Sequence, residues 1–130
     1  MIDPNDPPRW WTVTEANDAL ERVTEAVTRA QAAVAGIGGR AAALAQSSSG
    51  NGHAHPAGEE ASAFHDVVAE LEQDGIVLRD IRQGLVDFPA QAPNGRGYWL
   101  CWIVGEPEVA WWHWPEDGFA GRTPITEPPT

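Results

Sequence analysis

Apolar residues in the first third of the chain have the spacing of a helix face. They recur at steps of three and four: Leu20, Val23, Val27, Ala30 and Val34. Such steps place side chains on one stripe of an α-helix. Thr12 and Glu15 have capping-box spacing just before this stripe, with Thr14 as the competing N-cap. The pattern predicts a first helix over Thr14–Ala35, since three glycines within residues 36–39 disfavour its continuation.

Turn-forming residues dominate the next segment and predict a flexible loop over residues 47–58. A second helical stripe follows, formed by Phe64, Val67, Val68 and Leu71. It predicts a helix over Glu59–Asp74 that ends at Gly75, because glycine is favoured just past a helix C-terminus. Two amphipathic helices joined by one loop indicate an antiparallel helical hairpin.

The period of the apolar residues changes from helical to strand-like after Gly75. Three strands are predicted from this change: Leu85–Ala90, Tyr98–Val104 and Glu108–Trp114. Asn94-Gly95 lies between the first two strands and predicts a two-residue hairpin turn. The predicted fold class is α+β, an antiparallel αα-hairpin followed by a three-stranded antiparallel β-meander.

The predicted turn fixes which side chains share a face of the sheet. With a two-residue loop at Asn94-Gly95, Asp87 pairs with Trp102. One face then holds Asp87, Pro89, Tyr98, Leu100, Trp102, Val104, Val109, Trp111 and His113. The other face holds Val86, Phe88, Trp99, Cys101, Ile103, Ala110, Trp112 and Trp114. Both faces are apolar and two short helices cover only one, so the sequence predicts a homodimer that buries the second face.

Length and charge narrow the class of protein. The chain has 130 residues, enough for one domain over residues 10–122, with a mobile N-terminal arm over 1–9 and a C-terminal tail over 123–130. Its net charge of −11 and its lack of lysine argue against nucleic acid or an anionic membrane as partner. Neither a signal-like segment nor an apolar run of membrane-spanning length stands out, so the expected location is the cytoplasm.

The first predicted face carries the candidate chemistry. Asp87 and His113 lie on it beside aromatic side chains, where a carboxylate and an imidazole can act as a general acid–base pair. The alternative is structural, with Asp87 accepting a hydrogen bond from an indole N–H or from Arg122. The candidate binding residues are Asp87, Tyr98, Trp102, Glu106, Trp111, His113 and Arg122.

Metal and thiol chemistry receive less support from the sequence. Residues of ligand type near this face are Asp87, Glu106, His113 and Asp117. They show no paired spacing such as His-x-x-x-His, and His53 and His55 are interpreted as solvated loop residues, so no metal and no cofactor is predicted. Cys101 is the single cysteine. It is assigned to the opposite face as a small buried hydrophobe and is rejected as a nucleophile.

A further pattern is spread along the chain in short segments. They are Trp11–Leu20 near the start and, further on, Gly84–Pro89, Leu100–Trp102, Gly105–Val109, Trp112-His113 and Gly118–Arg122. Together they resemble domain-of-unknown-function family 2203, a group of small uncharacterised bacterial proteins. The resemblance implies no activity, because none is established for the family. It marks five positions as matching the family motif: Asp87, Trp102, Glu106, His113 and Arg122.

Two classes of function follow from these observations. The first is a self-associating binding or interaction module that uses the aromatic sheet face. The second is a small-molecule or metal-dependent enzyme whose ligand is not identified, with a site around Asp87, Glu106, His113 and Arg122. A pocket lined by these residues would favour the enzyme, whereas a flat aromatic surface buried by a second chain would favour the module.

Overall fold

The structure, a computed structural model, describes residues 2–46 and 55–129 of the chain, and side chains within residues 2–36 and 62–129. The elements are α1 (Val13–Gln46), α2 (His55–Gln73), β1 (Val77–Asp80), β2 (Leu85–Gln91), β3 (Gly97–Ile103), β4 (Trp111–His113), a single 3-10 turn (Phe119–Gly121) and β5 (Thr123–Pro124). In these residues the five strands form one antiparallel sheet in chain order. The predicted α+β class is confirmed, with short strands added at both ends of the predicted meander.

Helix α1 begins with the predicted capping box and is longer than predicted. The Glu15 N–H donates to Thr12 Oγ1 at 3.1 Å, and Glu15 Oε1 accepts the Thr12 N–H at 3.0 Å. The backbone then stays helical through residues 36–39 as far as Gln46. Glycine costs a helix about 1 kcal/mol relative to alanine but does not block it, and alanines flank these glycines on both sides.

Helices α1 and α2 pack against each other in antiparallel directions, as predicted. Two ion pairs join α1 to α2 and its C-terminal end in this orientation, Arg22 with Asp74 at 3.0 Å and Arg29 with Glu70 at 3.4 Å. Residues 47–54 of the predicted loop lie outside the described residues, and residues 55–58 belong to α2. Neither helix, in the part of the chain described, has the length and apolarity needed to cross a membrane.

The two helices cover one face of the sheet and enclose the core. Buried core residues from the helices are Ala16, Ala19, Val23, Ala26, Val27, Ala30, Val67 and Leu71, and those from the sheet are Val86, Phe88, Ala90, Leu100, Trp102 and Trp112. Full burial of a valine side chain such as Val23 or Val27 stabilises the fold by roughly 1.5–3 kcal/mol. Val34, the last residue of the predicted stripe, is 38% exposed and lies beyond this core.

The register of the sheet differs from the prediction by one residue. Asp87 is opposite Cys101, and Trp102 is opposite Val86. The predicted pairing of Asp87 with Trp102 is therefore wrong. The register of β3 with β4 also differs from the prediction, which put Trp111 on the same face as Trp102, since Trp111 is opposite Cys101.

The cause of the shift is a three-residue hairpin loop in place of the predicted two-residue turn. The Ala92 N–H donates to the Arg96 carbonyl at 2.9 Å, and the Gly95 N–H donates to the Ala92 carbonyl at 2.8 Å. Pro93 thus occupies the second position of a β-turn, where its fixed φ fits, and Gly95 follows with φ +86°. A turn of this kind followed by a left-handed glycine is the common three-residue hairpin.

A one-residue shift at each of the two turns reverses only the strand that lies between them. Asp87, Trp111 and His113 share one face, as predicted, because β2 and β4 keep their relative parity. The side chains of β3 exchange faces. Trp99 and Cys101 join Asp87, whereas Tyr98 and Trp102 belong to the helix-covered side.

The chain itself covers the second face of the sheet. Trp99 is 2% exposed and Cys101 is fully buried, although neither faces the helices. Near one end of the face, the Gly97 N–H donates to Asn5 Oδ1 at 2.9 Å. A Cβ at position 97 would lie 1.8 Å from the Pro4 carbonyl oxygen, so only glycine permits this close approach of the N-terminal segment.

Arginine side chains and the C-terminal segment cover the rest of that face. The guanidinium of Arg79 lies 4.8 Å from the centre of the Trp99 ring, and that of Arg122 lies 5.1 Å from the Trp111 ring. Such cation–π contacts let a charged head group shield an aromatic surface. Segment 115–119 lies over the end of the face that carries Asp87 and His113.

Candidate functional site

Asp87 is the centre of a buried polar cluster on the second face. It is 2% exposed, and its Oδ2 atom accepts hydrogen bonds from Arg79 Nε at 2.9 Å and from His113 Nε2 at 3.0 Å. Its other oxygen, Oδ1, is buried without a hydrogen-bond partner among the described residues. A buried carboxylate is tolerated when charged donors pair with it, and one of its two oxygens is so paired here.

The sheet register brings these partners together from three strands. His113 on β4 is opposite Trp99, two positions along β3 from the partner of Asp87. Arg79 comes from β1, where the pairing with β2 shifts between Leu78 and Asp80. This irregularity places the Arg79 side chain beside the Asp87 carboxylate.

The ring of His113 is held at both nitrogens. Nδ1 lies 2.9 Å from the Trp114 carbonyl oxygen, an acceptor, so Nδ1 carries the proton in that hydrogen bond. Burial is the largest influence on the pKa of His113 and lowers it. The hydrogen bond to Asp87, the charge of Asp87 and the Trp114 carbonyl together exceed this effect, so the pKa of His113 is raised.

Cys101 lies directly across from Asp87 and is fully buried. Burial, followed by the charge of Asp87, raises the pKa of the Cys101 thiol to about 12, although Arg122 acts in the opposite direction. A protonated, inaccessible thiol is a poor nucleophile. The rejection of a nucleophilic role is therefore consistent with the structure, but the predicted place of Cys101 on the face opposite Asp87 is wrong.

A small cavity adjoins the Asp87–His113 pair. Its volume is about 210 Å³, and it is lined by Arg79, Leu85, Asp87, His113, Pro115, Gly118 and Phe119. Apolar walls with a few polar groups are typical of small-molecule sites. The two candidate residues Asp87 and His113 thus line a concavity, whereas the other five predicted site residues are absent from its lining.

Glu106 and Arg122 form a separate pair on the same side of the sheet. Arg122 Nη2 donates to Glu106 Oε1 at 2.8 Å, and this oxygen also accepts the Ile103 N–H at 2.8 Å. The Arg122 guanidinium lies over Trp111 and is mostly buried. This arrangement fixes the C-terminal segment against the end of β3. Arg122 therefore does not bind Asp87, whose carboxylate is bound by Arg79 and His113 instead.

Tyr98 and Trp102 have structural contacts on the helix-covered side. Trp102 is 2% exposed and its indole N–H donates to the Glu106 carbonyl at 3.0 Å. Tyr98 packs edge-on against Trp112 and Trp114, with ring centres 5.5 and 6.1 Å apart. The predicted sharing of a face with Asp87 is wrong for both residues, because the hairpin loop is one residue longer than predicted.

Two residues of the cluster were missed by the sequence reasoning. Arg79 precedes the predicted sheet by several residues, and no strand was predicted there, so it had no position relative to Asp87. Cys101 was placed on the wrong face. Pro93 indicated the longer loop that puts Cys101 on the face of Asp87, because proline suits the second position of a turn and does not suit a paired strand residue.

The fold and the cluster define a class of protein: an α+β domain with a helical hairpin on one sheet face and a buried Asp–Cys–His group with a small cavity on the other. A family model described as uncharacterized conserved protein, DUF2203, matches residues 9–125. The chain therefore belongs to this family, as the motif segments predicted. No curated protein and no solved structure matched in the corresponding searches.

Proposed function

We propose that this protein binds a small carboxylate-bearing molecule in the cavity beside Asp87 and His113. The observation that carries the proposal is the meeting of a buried polar cluster with a cavity of about 210 Å³. This volume is below the roughly 300–1,000 Å³ typical of drug-sized ligands, which favours a compact molecule. The site is smaller than the one predicted from sequence, since Glu106 and Arg122 pair with each other outside it.

The charge of the site favours an anionic group on the ligand. Arg79 uses Nε for Asp87, and its two terminal amino groups have no acceptor among the described residues. A guanidinium with free terminal N–H groups is suited to a carboxylate. Leu85, Pro115 and Phe119 provide an apolar wall for a short hydrocarbon portion.

Exchange of Arg79 tests this proposal. Native mass spectrometry of protein purified from its own host should detect a bound small acid, and short-chain carboxylic acids should perturb the amide NMR signals of Leu85 and Phe119. Arg79→Gln should abolish both effects. Arg82→Gln removes the same charge from an exposed neighbour and should leave them intact. Unchanged binding in Arg79→Gln, or perturbation confined to other parts of the chain, would contradict the proposal.

Self-association through an aromatic face stays a prediction, but the argument that led to it no longer applies. Its argument was that one apolar face of the sheet lacked a cover, and in the described residues that face is covered by the chain's own segments. Light scattering of the purified protein distinguishes the two cases. A particle of 14.0 kDa would match a self-covered sheet, whereas twice that mass would require an interface on another surface, for example around the exposed Phe119.

A further inference from the structure

We propose that Asp87, Cys101 and His113 form a binding site for one divalent transition-metal ion, with Zn²⁺ as the ion best suited to their donor set. One ligand-type atom from each residue lies within 4.8 Å of the others, and all three residues are buried. Thiolate sulfur, imidazole nitrogen and carboxylate oxygen are the three donor types that bind zinc in proteins. The metal site goes beyond the small-molecule proposal. It uses donor atoms of Asp87, Cys101 and His113 instead of the Arg79 amino groups, so each proposal can be tested without the other.

The backbone fixes the relative positions of the three side chains. Asp87 and Cys101 are direct cross-strand partners on β2 and β3. His113 is on β4, the next strand, where it is opposite Trp99 and so diagonal to Cys101. Side chains on adjacent strands of one hydrogen-bonded sheet are more precisely placed than side chains on loops, which favours a pre-organised metal site.

Each nitrogen and oxygen donor is oriented by a neighbour, as in known metal sites. His113 donates Nδ1–H to the Trp114 carbonyl, which leaves Nε2 to face the cluster. Arg79 binds Asp87 Oδ2, while Asp87 Oδ1 is buried and has no donor among the described residues. A buried carboxylate oxygen without a partner is rare and calls for an explanation, and a cation provides one.

The distances are close to those that a tetrahedral ion requires. The imidazole and the carboxylate are already close, since His113 Nε2 lies 3.0 Å from Asp87 Oδ2, and a nitrogen and an oxygen bound to one zinc ion are separated by about 3.3 Å when each bond is about 2.0 Å long. A sulfur–nitrogen or sulfur–oxygen pair on zinc is separated by about 3.5 Å. Since no pair in the cluster exceeds 4.8 Å, closure around an ion requires movements of roughly 1 Å.

Charge and access are also compatible with a metal ion. Binding releases the protons of the Cys101 thiol and of His113 Nε2, so that a thiolate and a carboxylate neutralise the divalent ion. The nearby Arg79 side chain is 36% exposed, so water solvates its charge. Three protein ligands leave a fourth coordination position open, which is the composition of catalytic rather than structural zinc sites. Asp87 and His113 line the adjoining cavity, so the open position has space beside it.

Cobalt substitution tests the site directly. In tag-free protein with His53→Ala and His55→Ala, which removes two histidines outside the cluster, Co²⁺ should produce the strong visible bands of tetrahedral coordination and a thiolate-to-cobalt charge-transfer band. Because Cys101 is the only cysteine, this band identifies it without any change at the site. Zn²⁺ should displace Co²⁺ and abolish both sets of bands.

Variants then assign the other ligands. His113→Ala and Asp87→Asn should each weaken Co²⁺ binding by more than about 100-fold, since even residues outside the ligand set cost about 10–100-fold. His65→Ala, an exposed histidine on α2, should have no effect. Co²⁺ binding without a charge-transfer band, equal binding after His113→Ala, or no binding of either ion would overturn the proposal. Failure to find a carboxylate ligand in the cavity would leave these spectra unaffected.

Discussion

Asp87 is a charged residue within β2, a strand whose other residues are apolar and buried except for the exposed Gln91 at its end. A buried carboxylate costs several kcal/mol unless it is paired, so the surrounding structure must supply donors. Two of them come from other strands of the sheet, Arg79 from the adjacent β1 and His113 from β4, which lies beyond β3. At the scale of single residues, this carboxylate therefore joins the strands of the second face.

Replacement of Asp87 by asparagine tests that role. Asp87→Asn keeps the shape but removes the charge that Arg79 and His113 face, and we expect the free energy of unfolding to fall by about 1–3 kcal/mol. Urea denaturation of metal-free protein measures the change. Asp66→Asn on the exposed surface of α2 serves as the control and should change stability by less than about 0.5 kcal/mol. Equal effects of the two substitutions would show that the buried pairing contributes nothing.

The hairpin between β2 and β3 determines which side chains meet at the scale of elements. Its position was predictable from Asn94-Gly95, but this dipeptide alone leaves the length open, because it fits loops of two and three residues. The three-residue form places Cys101 opposite Asp87 and moves Trp102 to the core. One residue of loop length thus changes the composition of the site while leaving the fold class unchanged.

The conformation of Gly95 provides a test of this loop. Its φ is +86°, and a Cβ there would meet nothing within 4 Å. Gly95→Ala should therefore destabilise the protein by about 1–2 kcal/mol through backbone strain alone. Gly95→Asn should cost less, because asparagine adopts positive φ more readily. Thermal unfolding of the two variants gives the comparison, and a larger loss for asparagine than for alanine would contradict the left-handed loop.

On the scale of the whole molecule, the C-terminal segment joins the hairpin loop to the covered face. Arg96 in the loop forms an ion pair with Glu116 and lies over the Trp114 ring at 4.3 Å. Further along, the Trp112 indole N–H donates to the Glu127 carbonyl at 2.9 Å. The Arg96–Glu116 pair fixes the chain next to Pro115, which lines the cavity, whereas the Trp112 contact lies on the helix-covered side. The site therefore depends on residues distant in sequence.

The ion pair of Arg96 and Glu116 predicts a defined pH response. The hydrogen bond from Arg96 lowers the pKa of Glu116 below its usual 4.5. Because the folded pKa is lowered, the stabilisation is present above the unfolded pKa and is lost as pH falls through the folded value. Arg96→Gln should return the pKa of Glu116 toward 4.5 in a carboxyl NMR titration. Arg82→Gln should not change it, and an unchanged Glu116 in Arg96→Gln would show that the pair does not form in solution.

The site was harder to predict than the fold, for physical reasons that particular residues illustrate. The prediction placed Asp87 and His113 on the same face, as they are, because the register errors at the two turns reversed only β3, the strand between them. Arg79 could not be placed, since its strand is short and its pairing with β2 is irregular. Glu106 was expected near Asp87, but its oxygen is held by the Ile103 N–H and by Arg122.

Local sequence determined the presence of two helices before the sheet, the capping box at Thr12, the position of the hairpin and the family, because each depends on residues close together in the chain or on the family motif. The tertiary structure alone decided the sheet register, the contact of Arg79 with Asp87 and the covering of the second face. Strand pairing has a period of two, so one residue of loop length reverses a face. The covering segments come from both ends of the chain, and nothing local in their sequence specifies which surface they contact.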